Sequence, residues 1–367
     1  MKIAYLLGSL NRGGAETLLL DVLSCAYSLQ LDAIAIYREG GTLEHSFMQN
    51  NTSLYKNSNK KNIFSYLWTL RRTLIQNNVQ IVHAQQPIDA LFGWIACKGI
   101  KIKIVLTWHG YDFQAGRLST FINRFIVKRV CCNIFVSQEQ QAYYLQQYKF
   151  NPERSHVIYN GIDFSKFNIF NSLNTNLRKE LDIPQEAILL GSVGNFNNVR
   201  DQITLCRFLK LLQEQNVLFH FLFVGKRVDN LPQKYDDCVE FCQQNNLSNR
   251  VHFLGTRQDV PQILTQLDAF LYATDHDTFG ISVVEAIAAG TPVFVNDWGV
   301  MKEITEDGEY ATLYKTKDEK DLLYHFMLFL KNQTYYKEKA LEFSKCVREK
   351  YSIEKHIQEL VNVYRIL

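Results

Sequence analysis

Short apolar runs alternate with longer amphipathic segments along the whole chain. KIAYLLGSL, DAIAIY, IVHAQQ, KIVLTWHG, NIFVSQ and HVIYNG are typical of buried strands. AETLLLDVLSCAYSL and FSYLWTLRRTLIQNN carry apolar residues at the three- and four-residue intervals of helices. This alternation predicts βαβ units and parallel sheets, and therefore an α/β fold.

A second series of strands, AILLGSVGN, LFHFLFVG, RVHFLG, AFLYAT and TPVFVND, follows an Asn-rich stretch with few apolar residues. We therefore predict a Rossmann-like domain over residues 1–165, a linker over 166–185 and a second Rossmann-like domain over 186–350. Residues 351–367 predict an amphipathic helix that packs back on the first domain. Ligands bind at the carboxyl ends of strands in such sheets, so we expect the functional residues on the loops that follow the strands.

Composition excludes several classes of protein. The 367 residues hold 40 Lys/Arg and 37 Asp/Glu, a net charge of +3 that gives no global field for nucleic acid. Eight cysteines form no Cys-x-x-Cys pair or His/Cys cluster, which favours reduced thiols and no metal site. The first apolar run stops at Asn11, so a strand fits better than a signal peptide, and no run is long enough to span a bilayer. We expect a cytoplasmic protein, either free or at the cytoplasmic face of a membrane.

The first strand-to-helix loop, GSLNRGGAE, contains adjacent glycines. Gly13 and Gly14 allow backbone N–H groups to approach a phosphate at a helix N-terminus. A plain tight turn explains the same pair equally well.

The segment TWHG ends a strand in His109, with aromatic residues on both sides. A lone histidine is more often structural, but its place at a strand end beside Trp108 and Tyr111 favours contact with a sugar ring.

In VGNFNNVRDQ, Arg200 comes just before a predicted helix. A guanidinium directed at the ligand edge can hold a diphosphate through two hydrogen bonds. The alternative is a solvated charge, which the helix dipole disfavours at that end unless an anion is present.

In HDTFGISVVEA, two carboxylates surround the start of a predicted helix. The helix is expected to begin near Gly280 or Ile281 and to stop at Gly290, which puts Asp277 in the preceding loop and Glu285 about one turn inside. They are either a functional pair or ordinary helix-start charges.

These motifs, together with NGID, FVG, VHFLG and DTFGISVVEAIAAGTPV, have the order and spacing of one family. The chain resembles the family 4 retaining glycosyltransferases from residue 1 to about 365, most specifically over residues 250–295. The resemblance implies the GT-B fold, in which two doubly wound Rossmann-like domains face each other across a cleft.

The resemblance also implies a donor site that lies mainly on the second domain. Glu285 would hold the ribose hydroxyls, since a carboxylate accepts two hydrogen bonds from a vicinal diol, and Asp277 would contact the donor sugar. His109 and Arg200 complete the implied catalytic set. The other implied donor-binding residues are Gly13, Gly14, Asn195, Lys226, Leu254, Gly255, Thr256, Arg257, Phe279, Gly280, Ile281 and Ser282.

The implied reaction is the transfer of a glycosyl group from a nucleotide-diphosphate sugar to an acceptor hydroxyl with retention of configuration. Arg200, the Gly13–Gly14 loop and the helix end would stabilise the departing diphosphate without a metal, and no cofactor is expected. A UDP-sugar is the favoured donor. The carboxylates would not act as the acid and nucleophile of a glycosidase.

Three positions depart from the family pattern. Asp277 stands where the family usually has Glu, Asn195 replaces an Arg, and Arg200 replaces a Lys, while Lys226 offers a second cation. These departures affect the expected donor more than the expected activity.

The acceptor is expected to be a glycan or a lipid-linked glycan in cell-surface polysaccharide or lipopolysaccharide assembly. Trp108, Tyr111, Asp112 and Arg117 are the predicted acceptor-side residues. GRLSTFINRFIVKRV, over residues 116–130, mixes basic and apolar residues. It predicts either a helix on an anionic membrane surface or a core helix with a solvated basic face.

Rival functions stay open on the sequence alone. An epimerase of the same fold needs further acid/base groups around the sugar, which the motifs do not supply, and a phosphorylase usually needs a Lys-bound pyridoxal cofactor. A non-catalytic nucleotide-sugar-binding subunit would explain Asp277 and Asn195. A nicotinamide dehydrogenase is the weakest rival because neither half has a dinucleotide fingerprint.

Overall fold

The computed structural model describes residues 1–26, 31–49, 53–58, 62–113, 115–170 and 176–367, with the backbone alone for 168–170. The chain forms two units, Met1–Asp163 with Tyr351–Leu367, and Phe164–Lys350. The C-terminal segment thus belongs to the first unit and not to the second.

Unit 1 contains a seven-stranded parallel sheet in the order β3-β2-β1-β4-β5-β6-β7. Its strands are β1 (Lys2–Ser9), β2 (Asp32–Glu39), β3 (Ser53–Lys56), β4 (Ile81–Ala84), β5 (Lys103–Trp108), β6 (Cys132–Phe135) and β7 (Ser155–Val157). Its helices are α1 (Gly14–Ala26), α2 (Glu44–Gln49), α3 (Ile63–Gln76), α4 (Pro87–Ala96), α5 (Arg117–Ile126) and α6 (Gln138–Tyr148), with a 3-10 turn at Pro152–Arg154 and the C-terminal helix at Ile353–Ile366.

Both faces of this sheet are covered, which explains why its strands are continuously apolar. Helices α1 and α2 and the C-terminal helix pack on one face, and α3, α4, α5 and α6 pack on the other. Ser352 is the N-cap of the C-terminal helix, and its side chain accepts from the N–H of Lys355; the helix buries Ile357, Leu360 and Tyr364 in the core.

Unit 2 contains a six-stranded parallel sheet in the order β10-β9-β8-β11-β12-β13. Its strands are β8 (Ile188–Val193), β9 (Phe219–Val224), β10 (Val251–Gly255), β11 (Ala269–Tyr272), β12 (Val293–Asn296) and β13 (Thr312–Tyr314). Its helices are α7 (Ser165–Phe170), α8 (Leu177–Glu180), α9 (Gln202–Glu214), α10 (Gln233–Gln244), α11 (Val260–Gln266), α12 (Ile281–Ala288), α13 (Gly299–Ile304), α14 (Glu319–Lys331) and α15 (Gln333–Lys350); the C-terminal helix of unit 1 is α16.

The predicted α/β class with two parallel sheets is confirmed. The strand patterns did not reveal β3 and β13, which are short strands at the sheet edges, where one flank is solvated and the apolar run is brief.

The segment predicted as a linker, residues 166–185, differs from that expectation where the structure describes it; residues 171–175 lie outside the described residues. Helices α7 and α8 occupy it, α7 packs on α11, and Leu177 is fully buried. The low apolar density of the stretch concealed the few side chains that attach it to unit 2.

Candidate active site

The unit 1 residues predicted to be functional lie at the ends of β1 and β5 and in the segments that follow them, and β4 lies between these two strands. These strands are neighbours in the parallel sheet, so their carboxyl ends share one edge. Gly13 and Gly14 follow β1, and His109 follows β5. Gln85, which sequence reasoning passed over, follows β4 at the same edge.

His109 is held by Gln85. Its Nε2 lies 2.8 Å from Gln85 Oε1, so the neutral ring donates to the amide oxygen. Burial and, secondarily, the nearby His356 lower the pKa of His109 to about 4. The side-chain nitrogen of Gln85 is buried and has no hydrogen-bond partner among the residues that the structure describes. The neutral imidazole of His109 and the buried amide donor of Gln85 therefore lie side by side at the carboxyl edge of the sheet.

Two further histidines tie α16 to this edge. His83 Nδ1 lies 2.6 Å from the Tyr364 hydroxyl, and His83 Nε2 lies 2.7 Å from Thr107 Oγ1. His356 Nδ1 donates to the Tyr159 carbonyl at 2.7 Å. Burial lowers the pKa of His83 to about 3 and that of His356 to about 4. The rings of His83, His109 and His356 are therefore all neutral at pH 7.

Of the residues predicted on the acceptor side, Trp108 is buried. Trp108 is a core residue and not a surface platform: it is buried and its Nε1 donates to Asn133 Oδ1 at 3.0 Å. This corrects the expectation that Trp108 contacts an acceptor, which arose because a buried strand end and an exposed loop start are indistinguishable in TWHG.

Asp112 accepts hydrogen bonds from the hydroxyls of Tyr143 and Tyr148 and from Asn123 Nδ2. These bonds give its carboxylate a structural task within the loop. Tyr111 is half-buried and stacks on Phe113, with ring centroids 4.7 Å apart, and Arg117 is exposed in the first turn of α5. The acceptor roles of Tyr111, Asp112 and Arg117 stay predictions.

The Gly13–Gly14 turn has a local carboxylate for a neighbour. A Cβ on Gly13 would lie 2.5 Å from Glu16 Oε2, and burial raises the pKa of the Glu16 carboxyl. Glu16 is in the first turn of α1, where the helix dipole favours a negative charge. A Cβ on Gly13 would meet only the movable end of the Glu16 side chain, so Glu16 alone does not require a glycine there, and phosphate binding by this turn stays a prediction.

In unit 2, Asp277 fixes the loop before α12. Its Oδ1 accepts from the N–H groups of Thr278 and Phe279 at 2.8 and 3.3 Å, and its Oδ2 accepts from the Tyr272 hydroxyl. Burial raises the pKa of Tyr272, so this hydroxyl remains a donor. The loop conformation thus depends on the shorter carboxylate and on a tyrosine that sequence reasoning did not single out.

Helix α12 begins at Ile281, as predicted. Its N-cap, Gly280, has φ 80°, in the left-handed region, and a Cβ there would lie 2.8 Å from Met301 Cε. Ser282 Oγ donates to the Val193 carbonyl at 3.0 Å, which joins the helix start to the end of β8. Glu285 is half-buried one turn further along, while the Phe279 side chain is buried.

Arg200 is not the solvated helix-start charge that the sequence allowed as an alternative. Its side chain is buried and donates to the carbonyls of Val193 and Ala273 and to Ser192 Oγ at 2.8, 3.3 and 3.2 Å. The guanidinium carbon lies 3.5 Å from the Tyr272 ring centroid. A guanidinium has five N–H donors, so these bonds leave capacity for an anion, and its contact with a diphosphate stays a prediction.

The loops after β8 and β9 approach each other closely. Asn195 Oδ1 accepts from the N–H of Lys226 at 3.0 Å, and a Cβ on Gly225, at φ 157°, would lie 2.1 Å from the Gly194 carbonyl oxygen. Asn195 therefore connects the loops, and Lys226 is exposed at their surface.

The backbone predicted to lie against the base, residues 254–257, is the end of β10 and the start of the loop that follows it. Leu254 and Gly255 end β10, and the Gly255 carbonyl accepts from the N–H of Gly225 at 2.8 Å. Thr256 is exposed. Arg257 forms ion pairs with Glu180 and Asp259 at 2.6 and 2.8 Å, which hold its side chain in place.

The described part of the chain contains no group of three or more His, Cys, Asp or Glu side chains arranged to hold a metal ion.

Two family models together match most of the chain. The model for glycosyl transferases group 1 matches residues 174–350, and the model for glycosyltransferase family 4 matches residues 12–166. The chain belongs to the family 4 glycosyltransferases. It is a glycosyltransferase by family, and the recognition made from its motifs is confirmed.

Relatives and solved structures agree with this membership. The chain is 24% identical over 379 residues to the O-antigen biosynthesis glycosyltransferase WclY of Escherichia coli, covering 100% of this chain and 99% of that protein. It is 23% identical over 242 residues to the E. coli UDP-Gal:alpha-D-GlcNAc-diphosphoundecaprenol alpha-1,3-galactosyltransferase, covering 63% and 61%. The structure of Anabaena Alr3699/HepE in complex with UDP-glucose superposes with a TM-score of 0.88 at 20% identity and full coverage of both chains. These neighbours confirm the GT-B fold.

Proposed function

We propose that this family 4 glycosyltransferase transfers a sugar, with retention of configuration, from a nucleotide-diphosphate sugar to a hydroxyl of a glycan or lipid-linked acceptor. The observation that carries the proposal is the start of α12, where Glu285 and the Asp277 loop lie at the carboxyl edge of the unit 2 sheet. Ligands bind at this edge in open parallel sheets.

Unit 2 supplies the donor contacts in this proposal. Glu285 accepts hydrogen bonds from the ribose diol, and the backbone of residues 254–257 lies against the base. Asp277 and the N–H groups of residues 279–282 contact the sugar and the phosphates. The loops that bear these groups follow β10 and β11 at one edge of one sheet, which supports assigning them to one ligand.

Unit 1 contributes His109. Because its pKa is lowered to about 4, the ring is neutral at pH 7 and offers hydrogen bonds to a sugar hydroxyl without adding a charge. Arg200 and the α12 N-terminus stabilise the departing diphosphate, and the phosphate itself takes the acceptor proton. The proposed reaction uses no metal and no cofactor, and UDP-sugar is the favoured donor class.

Polysaccharide or lipopolysaccharide assembly at the cell surface is the proposed process. WclY is named for O-antigen biosynthesis, and the galactosyltransferase is named for a UDP-galactose donor and a diphosphoundecaprenol acceptor. We place the enzyme at the cytoplasmic face of the membrane as a peripheral protein. Among the residues that the structure describes, no helix is long and apolar enough to cross a bilayer.

A panel of uridine, guanosine and adenosine diphosphate sugars tests this proposal. Ligand-detected NMR measures binding to the full chain, and ³¹P NMR measures slow release of the nucleoside diphosphate. We expect one nucleotide class, uridine, to bind and to be hydrolysed slowly. If no nucleotide sugar binds or is hydrolysed, the proposal fails.

A non-catalytic nucleotide-sugar-binding subunit is the second candidate. It is favoured by one observation: Asp277 and Arg200 are both engaged in bonds within unit 2. Glycan production in cells distinguishes the two candidates. If Glu285→Ala and His109→Ala both leave it intact while nucleotide sugar still binds the wild-type chain, the binding subunit is the better account.

A further inference from the structure

Three neighbouring helices of unit 1 present an unusual outer surface. Helices α3, α4 and α5 pack side by side on one face of the sheet, with α4 in contact with both neighbours. Their outward side chains combine apolar and basic residues. We call this surface the basic-apolar face and define it by Phe64, Trp68, Leu118, Phe121, Arg124 and Lys128.

The apolar members are largely exposed. The exposed fractions of Phe64, Trp68, Leu118 and Phe121 are 78%, 62%, 72% and 67%. Over half of the large hydrophobic side chains that are exposed in the described chain fall within residues 62–131, although this segment is a fifth of the protein. Scattered exposed apolar residues are ordinary, whereas a concentration marks an interaction surface.

The positive charge is concentrated in the same segment. Residues 62–131 hold nine Lys/Arg and two Asp/Glu, and the rest of the chain holds 31 and 35. Both acidic residues have internal partners: Asp89 is buried against Arg38 at 2.9 Å, and Asp112 accepts from Tyr143 at 2.7 Å. The excess charge of the whole protein therefore comes from this segment.

Cations lie over aromatic rings on each of the three helices or just beyond their ends. Arg72 lies 5.5 Å from the Trp68 ring centroid, Lys98 lies 4.6 Å from that of Trp94, and Arg129 lies 5.1 Å from that of Phe125. Aromatic rings beside Lys and Arg are typical of side chains placed between lipid headgroups and acyl chains.

Topology places part of this face near His109. Helices α4 and α5 follow β4 and β5, so they begin at the carboxyl edge of the sheet, and α3 begins at the same edge because it runs back toward the start of β4. Phe64 and Leu118 lie in the first turns of α3 and α5. A surface that covers them lies beside the edge that bears His109.

We propose that the basic-apolar face docks on an anionic lipid bilayer, with Phe64, Leu118 and Phe121 among the headgroups. Arg124 and Lys128 contact lipid phosphates. This inference rests on the proposed function only in that the same bilayer presents the acceptor. A nucleic acid suits the charge but not Leu118, which has no ring for a base to stack on.

Vesicle flotation of the full chain tests the docking. We expect binding to vesicles of phosphatidylcholine and phosphatidylglycerol, weaker binding to phosphatidylcholine alone, and loss of the difference at high salt. Leu118→Ser with Phe121→Ser, and separately Arg124→Glu with Lys128→Glu, should each weaken binding by about tenfold or more. All four residues are exposed, so the fold should persist.

Matched pairs elsewhere on the chain serve as controls. Tyr324→Ser with Ile366→Ser removes similarly exposed apolar residues, and Lys331→Glu with Lys345→Glu reverses exposed charges. Both control pairs should bind vesicles as the wild type does, and circular dichroism should be unchanged in all four variants.

The inference fails if the wild type shows no preference for anionic vesicles, or if the Leu118/Phe121 and Arg124/Lys128 double variants bind vesicles as the wild type does. It also fails if these double variants change only RNA binding or self-association. Donor hydrolysis without vesicles separates this inference from the proposed function. Hydrolysis should be equal in all variants. If the wild type binds vesicles but neither binds nor hydrolyses any nucleotide sugar, the proposed function fails and the docking stands.

Discussion

Asp277 is one methylene shorter than the Glu that the family usually has at its position, and Tyr272 accompanies this change. The tyrosine hydroxyl donates to Asp277, and its ring lies against the Arg200 guanidinium. Three side chains from a strand and two loops are thus connected in one unit. The sequence revealed Asp277 and Arg200 as candidates, but Tyr272 lies within an apolar strand pattern that gives no reason to single it out.

We predict that Asp277→Glu lowers donor turnover, because the Tyr272 hydroxyl occupies the space that the longer carboxylate needs. The second substitution Tyr272→Phe should restore part of the loss, although alone it removes a hydrogen bond of about 1–2 kcal/mol. Kinetics of donor hydrolysis in the two single variants and the double variant measure the coupling. Strictly additive effects would contradict the connection between these side chains.

Gln85 is a residue of the candidate site that the sequence alone does not identify. Nothing in IVHAQQ distinguishes a functional amide from a solvated one, whereas the structure places Gln85 Oε1 2.8 Å from His109 Nε2. Neighbouring strands brought together by the fold supply this information, and the linear order does not.

We predict that Gln85→Leu lowers kcat more than it changes donor affinity, because His109 loses the acceptor that orients its ring. Gln86→Leu, on the next side chain, is the control, and both variants are compared by pH–rate profile. A parallel loss in both variants, with an unchanged profile, would indicate a structural effect only.

Helix α12 depends on Gly280 at its N-cap. The sequence predicted the start of this helix correctly because Ile281, Val284 and Ala288 define an apolar stripe and Gly290 follows it. It did not reveal that Gly280 is left-handed at φ 80° and packs against Met301. Met301 belongs to α13, which follows the next strand, so the pattern of residues around Gly280 does not reveal this contact.

We predict that Gly280→Ala destabilises unit 2 by about 1–2 kcal/mol from the backbone alone, and by more if Met301 cannot move. Gly110→Ala is the matched control, since its Cβ would meet nothing within 4 Å. Urea unfolding at pH 7 measures both. Equal stability of the two variants would contradict the strain inferred at Gly280.

The whole chain combines two parallel sheets that the apolar pattern identified, and a C-terminal helix that returns to the first of them. The pattern sufficed because strands covered on both faces are continuously apolar. The short edge strands and the attachment of residues 176–185 to unit 2 were missed, since each depends on a few buried side chains such as Leu177.

Unit 1 should be sensitive to acid. His83, His109 and His356 have folded pKa values of about 3, 4 and 4, below the ordinary value of 6.5. The unfolded chain binds protons more readily than the folded one, so stability is present above about pH 6.5 and is lost as the pH falls toward 4.

We predict that His356→Asn reduces the stability lost between pH 7 and pH 5 by about 2 kcal/mol, because Asn donates to Tyr159 without taking up a proton. His45→Asn, at an exposed position, should leave the loss unchanged. Urea unfolding at both pH values provides the measurement. An unchanged loss in His356→Asn would show that this ring is not held neutral by the fold.

The central claim is that Glu285 anchors the nucleotide of a sugar donor, and its most direct test is calorimetric titration with UDP and UDP-sugars. Glu285→Gln should weaken nucleotide binding by about tenfold to a hundredfold, since the ribose loses hydrogen bonds to a charged group. Glu319→Gln, in the first turn of α14, should bind as the wild type does. Wild-type affinity in Glu285→Gln, or an equal loss in both variants, would contradict the account.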